Sequence, residues 1–137
     1  MEFSRFNVMV FLYCFGNASL AQRVLASLRQ AWRSHLHCVT VIFLNDFWLV
    51  RFIIDPALDL EAGKDWQAFL NENGIPYVPT PPVSRAFDDL DLSMVPVIVM
   101  KRHNIAIVSH GLANPLEVRH FQENVVAGLG YRPPSLV

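Results

Sequence analysis

Charge is scarce in this chain: Asp, Glu, Lys and Arg make up 17% of 137 residues, against 53% hydrophobic ones. The 11 basic and 12 acidic residues are scattered and leave a net charge of -1, too weak a field to draw in DNA or RNA, so no nucleic-acid partner is expected. Cysteine is sparser still, with two residues. Cys14 and Cys38 form neither a Cys-x-x-Cys nor a zinc pattern, so no disulfide framework or redox compartment can be read from them. The histidines His35, His37, His103, His110 and His120 lack the H-E-x-x-H spacing, and His35-x-His37 falls at an expected helix end, where histidine meets the helix dipole. Asp88, Asp89 and Asp91 lack calcium-loop spacing, and Gly16, Gly63 and Gly74 stand alone rather than in a phosphate loop. No metal and no cofactor is expected. Nor does any apolar run reach the roughly 20 residues that span a bilayer. The abundant apolar surface therefore belongs in a core or a partner interface.

What is present reads as one domain over residues 1–130, with 131–137 as a C-terminal tail that Pro133-Pro134 keeps out of a helix. The run Asn7 to Tyr13, ended by Gly16-Asn17, predicts a strand buried on both faces. Ser19-Leu20-Ala21-Gln22 predicts a capping box, followed by a helix to about His35 whose inner face is Leu20, Val24, Leu28 and Trp32. Arg5, the run Phe6 to Phe15 and Ser19-Leu20-Ala21 also mimic an export signal. The strand-and-helix reading places the protein in the cytoplasm if Met1 is retained, and the compartment is otherwise unknown.

Cys38 to Leu44 predicts a second strand, paired in parallel with the first through a right-handed crossover. Phe47 to Ile54 reads equally as helix or strand. A helix is expected over 65–73 with Asn73-Gly74 as its C-cap, then an edge strand Ile75–Val78 weakened by Pro76, and a brief helix from Val83 to Leu90. Pro96 is expected to open a buried strand, Val95 to Lys101, which turns at Arg102-His103-Asn104 into Ile105–Ser109. Gly111 breaks that strand. Asn114-Pro115 starts a last helix with Leu116, Val118 or His120, Phe121, Val125 and Leu129 inward.

This order of elements, with Phe87, Val95-Pro96, the hairpin turn and Gly111 ahead of the last helix, resembles the thioredoxin-like superfamily over residues 84–125. The resemblance implies an α/β fold with a central mixed sheet of four to five strands flanked by helices, in the order β-α-β-(α-β)-α-β-β-α. It also implies a cis Pro96 facing an active-site loop. The segment 56–78 looks like the insertion of peroxiredoxin-like and TlpA-like members. The family's redox pair is missing, because the helix opens on Asn17-Ala18-Ser19-Leu20-Ala21, so the active site is degenerate. Phe11 to Leu20 together with Pro82–Phe87 resembles the TrbC/TraW-type proteins of conjugative type IV secretion. Leu12-Tyr13, Gly16-Asn17, Arg23, Leu25 and Leu28 resemble the start of the KaiB family. A DsrE-like reading of Trp66 to Pro76 lacks its carrier cysteine.

The resulting expectation is a non-catalytic thioredoxin-like module that binds a protein or peptide, or serves as an assembly subunit in a secretion or conjugation system. Its binding surface is expected at Phe15, Gly16, Asn17, Ala18, Ser19, Met94, Val95 and Pro96. The aromatic stretch with one arginine, Phe47, Trp48, Val50 and Phe52, reads first as plain core, with a homodimer or partner contact as the alternative. The alternative is a monothiol thiol-disulfide oxidoreductase with Cys14 as the catalytic residue. Against it, both cysteines read more simply as small buried hydrophobes.

Overall fold

The computed structural model describes residues 9–31, 35–54 and 60–111, and residues 116, 118 and 119. In chain order the elements are β1 (Met9–Phe15), α1 (Ala18–Ala31), β2 (Leu36–Leu44), β3 (Phe47–Ile54), α2 (Leu60–Asn73), β4 (Ile75–Pro76), α3 (Pro81–Asp91), α4 (Pro96–His103) and β5 (Ala106–Gly111). They form an α/β fold on a five-stranded sheet of order β4-β1-β3-β2-β5. Every pairing in it is antiparallel.

The expected mixed sheet is corrected by one tight turn. Asn45 and Asp46 both take positive φ, 53° and 68°, the type I′ geometry whose twist suits a two-residue hairpin. Leu44 therefore faces Phe47, and β3 runs back along β2 as far as Leu36 opposite Ile54. The segment left open between helix and strand is the central strand of the sheet. β1 and β2 run parallel, as the crossover rule requires, but β3 lies between them and pairs with both. The connectivity β1-α1-β2-β3-α2-β4 with spatial order β4-β1-β3-β2 is the split βαβ, ferredoxin-like arrangement. β5 extends it beyond β2.

Strand alternation divides the core into two halves. On one face Phe15, Val39, Val41, Val50, Phe52 and Ile54 pack against Val24, Leu25 and Leu28 of α1 and Trp66 and Leu70 of α2. On the other, Ile42 and Leu49 meet Val83, Ala86, Phe87 and Leu90 of α3 and Val99 of α4. Trp48, Val50 and Phe52 are thus core residues. Only Phe47 of the expected interface set is exposed, at 49%.

The stretch expected as a proline-led strand is a helix. Val95 is extended (φ -63°, ψ 133°), Pro96 takes the first helical turn, and Asn104 ends α4 in the left-handed conformation. Proline at a helix start loses an N–H that has no intrahelical partner anyway. The β-branched run Val97-Ile98-Val99 would favour a strand, but β5 already occupies the edge of β2, and only Val99 of α4 is buried. No peptide bond among the described residues is cis, so the expected cis Pro96 is corrected too.

Other boundaries moved less. α1 is capped by Asn17, whose Oδ1 accepts the N–H of Leu20 at 2.9 Å, in place of the expected Ser19. The Gly74 N–H closes α2 on the Leu70 carbonyl at 2.9 Å. Val118 is buried against the α1/α2-side core and Leu116 is exposed. Trp32, His120, Phe121, Val125, Leu129 and the tail lie outside the described residues.

Candidate functional site

Two places concentrate chemistry. The first is a cleft of about 320 Å³ at the end of the sheet where β1 finishes and β3 and β4 begin, lined by Cys14, Gly16, Leu20, Phe47, Glu72, Asn73, Gly74 and Ile75. Its floor depends on Gly74. A Cβ there would stand 2.6 Å from Cδ1 and Cε1 of buried Phe15 and 2.8 Å from the Cys14 carbonyl oxygen, so only glycine lets the end of α2 approach β1 this closely. Asn73 is held by its Nδ2 donating to the Phe69 carbonyl at 2.8 Å. Phe47 and Ile75, 49% and 70% exposed, supply apolar walls, and Glu72 supplies the ionisable carboxylate.

The cleft gathers Cys14, Gly16 and Phe47, which the sequence had placed in three separate roles. It does not gather the rest. Phe15 and Ala18 are buried in the core on the α1/α2 side, whereas Met94 packs into the core on the α3/α4 side. The eight residues expected as one binding surface are therefore divided by the sheet. Gly16, Asn17 and Ser19 remain exposed at the start of α1. Val95, at 59%, lies with Leu92, Val97 and Ile98 in an apolar patch around the α3–α4 corner. Cys14 is a half-buried free thiol at the end of β1 rather than on a helix, and burial raises its pKa. That favours the protonated, weakly nucleophilic form.

The second place is a polar row across the α3/α4 side of the sheet. Arg51 sits opposite Thr40, and Thr40 sits opposite His110, so β3, β2 and β5 contribute one residue each in register. The Arg51 guanidinium lies 4.4 Å from the centre of the Phe87 ring and donates to both Asp91 carboxylate oxygens, at 3.0 and 2.7 Å. Its Nε is buried without a hydrogen-bond partner. Thr40 Oγ1 is hydrogen-bonded to His110 Nδ1 at 2.7 Å, and Cys38 Sγ, two residues back along β2, lies 3.8 Å from the same nitrogen. Burial, followed by the Arg51 charge, lowers the pKa of His110, with Asp91 acting in the opposite sense. The row was invisible in sequence, because its members are brought together only by strand order. The one available signal was Arg51 itself, a lone charge in an otherwise apolar strand.

Beside this row, Asp89 joins α3 to α4. His103 Nε2 donates to its Oδ2 at 2.6 Å, and Arg102 Nη1 lies 3.4 Å from the same oxygen. The His103 hydrogen bond is the main cause that lowers the Asp89 pKa. The described residues contain no group of three or more metal-ligating side chains, and no helix among them is long and apolar enough to cross a membrane. A scan of protein-family models, a search of curated proteins and a search of solved structures each found no match.

Proposed function

We propose that this chain is a protein-binding module that seats an extended segment of a partner in the cleft at the end of β1. The observation that carries the reading is the cleft's composition: exposed Phe47 and Ile75 face a half-buried Cys14 and Leu20, with a single carboxylate from Glu72. Small-molecule sites usually occupy about 300–1,000 Å³ and carry several convergent polar groups. A cleft of about 320 Å³ stands at the bottom of that range and fits one or two side chains better than a cofactor. The fitting occupant is an apolar anchor residue with a basic neighbour to meet Glu72. Conjugation or secretion assembly is one setting for such capture, and it rests on the TrbC/TraW resemblance alone. The raised pKa of Cys14 lends no support to a monothiol oxidoreductase.

A random peptide library displayed on phage and selected on the full chain tests this. We expect enrichment of an apolar residue flanked by Lys or Arg. Phe47→Asp and Ile75→Asp should each weaken the selected peptides at least tenfold, roughly 1.4 kcal/mol, with unfolding unchanged. Selected peptides that bind both variants as well as the wild type, or no enriched motif, would sink the reading.

A further inference from the structure

The strap that joins α2 to α3 is built on proline and carries apolar side chains on its outside. Of the chain's 9 prolines, four fall in the run Ile75-Pro76-Tyr77-Val78-Pro79-Thr80-Pro81-Pro82. We propose that residues 75–80 are a docking segment for a partner domain whose groove, lined with aromatic side chains, reads a polyproline II ligand.

The conformation is set locally. Proline holds its own φ at about -65° and pushes the residue before it into the extended region. Over residues 75–81 this fixes every position except Tyr77, because Ile75, Val78 and Thr80 each precede a proline. Thr80 shows the result at φ -70° and ψ 162°, close to the polyproline II values of about -75° and +145°. Both ends are tied down. The Tyr77 N–H donates to the Leu12 carbonyl at 2.9 Å, and the Thr80 carbonyl accepts the Ser84 N–H of α3 at 2.9 Å. The segment is therefore extended before any partner arrives, which removes much of the ordering cost of binding.

Ile75-Pro76 and Val78-Pro79 are two apolar–proline pairs one polyproline II turn apart, a separation of roughly 9 Å. Exposure follows that three-residue period. Ile75 is 70% exposed and Val78 86%, whereas Tyr77 between them packs inward on the α3/α4 side. Pro76 is exposed as well.

The main chain decides which kind of partner fits. Pro76 and Pro79 have no N–H, and that of Tyr77 already serves Leu12, so Val78 alone of residues 76–79 has a donor to offer. An added β-strand needs donors and acceptors in alternation, and this edge does not supply them. A groove of Trp and Tyr side chains asks only for what the segment has: apolar–proline ridges to sit between rings, and carbonyls to accept from indole N–H and phenol O–H groups. No charged residue occurs from Ile75 to Val83, so apolar contact rather than ion pairing carries the recognition.

A panel of purified, fluorescently labelled SH3 and WW domains, titrated with the full chain and followed by anisotropy, tests this. At least one domain should bind with a Kd below about 1 mM, and a deca-proline peptide should displace the chain from it. Val78→Asp and Pro79→Ala should each weaken that complex at least tenfold. Leu92→Asp alters an equally exposed apolar residue, at 80%, in a different patch and should bind as the wild type does. Among residues 75–80 only Ile75 lines the cleft, so peptides selected on the cleft should bind Val78→Asp undiminished, and either site can fail while the other stands. No binding by any domain of the panel overturns the proposal. So does a complex that deca-proline leaves intact, that survives Val78→Asp, or that Leu92→Asp weakens as much.

Discussion

Arg51 and Asp91 give the sharpest test of how this sheet tolerates a charge in its middle strand. The Arg51 side chain is 8% accessible and that of Asp91 50%, so one partner is desolvated and the other is half in water. Breaking a fully buried pair by deleting one member costs about 3–5 kcal/mol, whereas a surface pair is worth about 0–1 kcal/mol. Asp91→Asn keeps the shape, loses the charge and leaves a buried guanidinium to its Phe87 contact, so a cost of about 2 kcal/mol is expected. For a chain this size that is a fall in Tm of roughly 7 °C. Arg51→Met removes the desolvated cation and keeps an unbranched stem over the Phe87 ring, and should cost less than about 1 kcal/mol. In the Arg51→Met background Asp91→Asn should cost under about 0.5 kcal/mol, because nothing is left to orphan. Urea unfolding of the four proteins measures all three quantities. If Arg51→Met proves the costlier single substitution, or if Asp91→Asn is equally damaging in both backgrounds, the argument from asymmetric desolvation is wrong.

Gly74→Ala should destabilise by about 2–3 kcal/mol, since the added methyl meets a buried ring and a backbone carbonyl, neither of which yields easily; a urea midpoint matching wild type would refute this. Acid stability should fall in two windows. His110, lowered from 6.5, stays neutral in the fold while the unfolded chain takes up a proton, so stability held above pH 6.5 is lost as pH drops below it. Asp89, lowered from 3.8, adds a loss that begins near pH 3.8 and continues as pH falls through its folded value. His110→Gln should abolish the upper window and leave the lower one, as thermal unfolding across the pH range will show; a wild type with no loss until the lower window would count against a histidine held neutral in the fold.

Much of the fold was legible from local chemistry. The brief helix read from Val83 to Leu90 lies within α3, Asn73-Gly74 closed α2, and the strands read at Asn7–Tyr13 and Cys38–Leu44 are found as β1 (Met9–Phe15) and β2 (Leu36–Leu44). These depend on interactions within a few residues of the chain. Pairing partners do not. Asn45-Asp46 did carry a hairpin signal, since both residue types tolerate positive φ, but Asp in place of the usual Gly at the second turn position left it weak. Missing it moved β3 out of the sheet and allowed β1 and β2 to be paired directly. The whole mixed-sheet expectation follows from that one turn.

The stretch Ser93–Met100 shows why the site was harder to read than the fold. Valine and isoleucine around a proline fit either a strand start or a first helical turn, and the choice depends on whether a sheet edge is vacant. With β5 on β2 the edge is filled, and Val97 and Ile98 turn outward at 50% and 48% exposure. Pro96 opens α4 rather than a buried strand, so the geometry from which that binding surface was inferred is not the one found. The largest cluster of polar side chains on the α3/α4 side lies instead where strand order, fixed by the Asn45-Asp46 turn, aligns Arg51, Thr40 and His110 across three strands with Cys38 beside them. The same turn decides the topology and, by bringing β3 back beside β2, puts the lone charge of the central strand next to the histidine that faces the thiol.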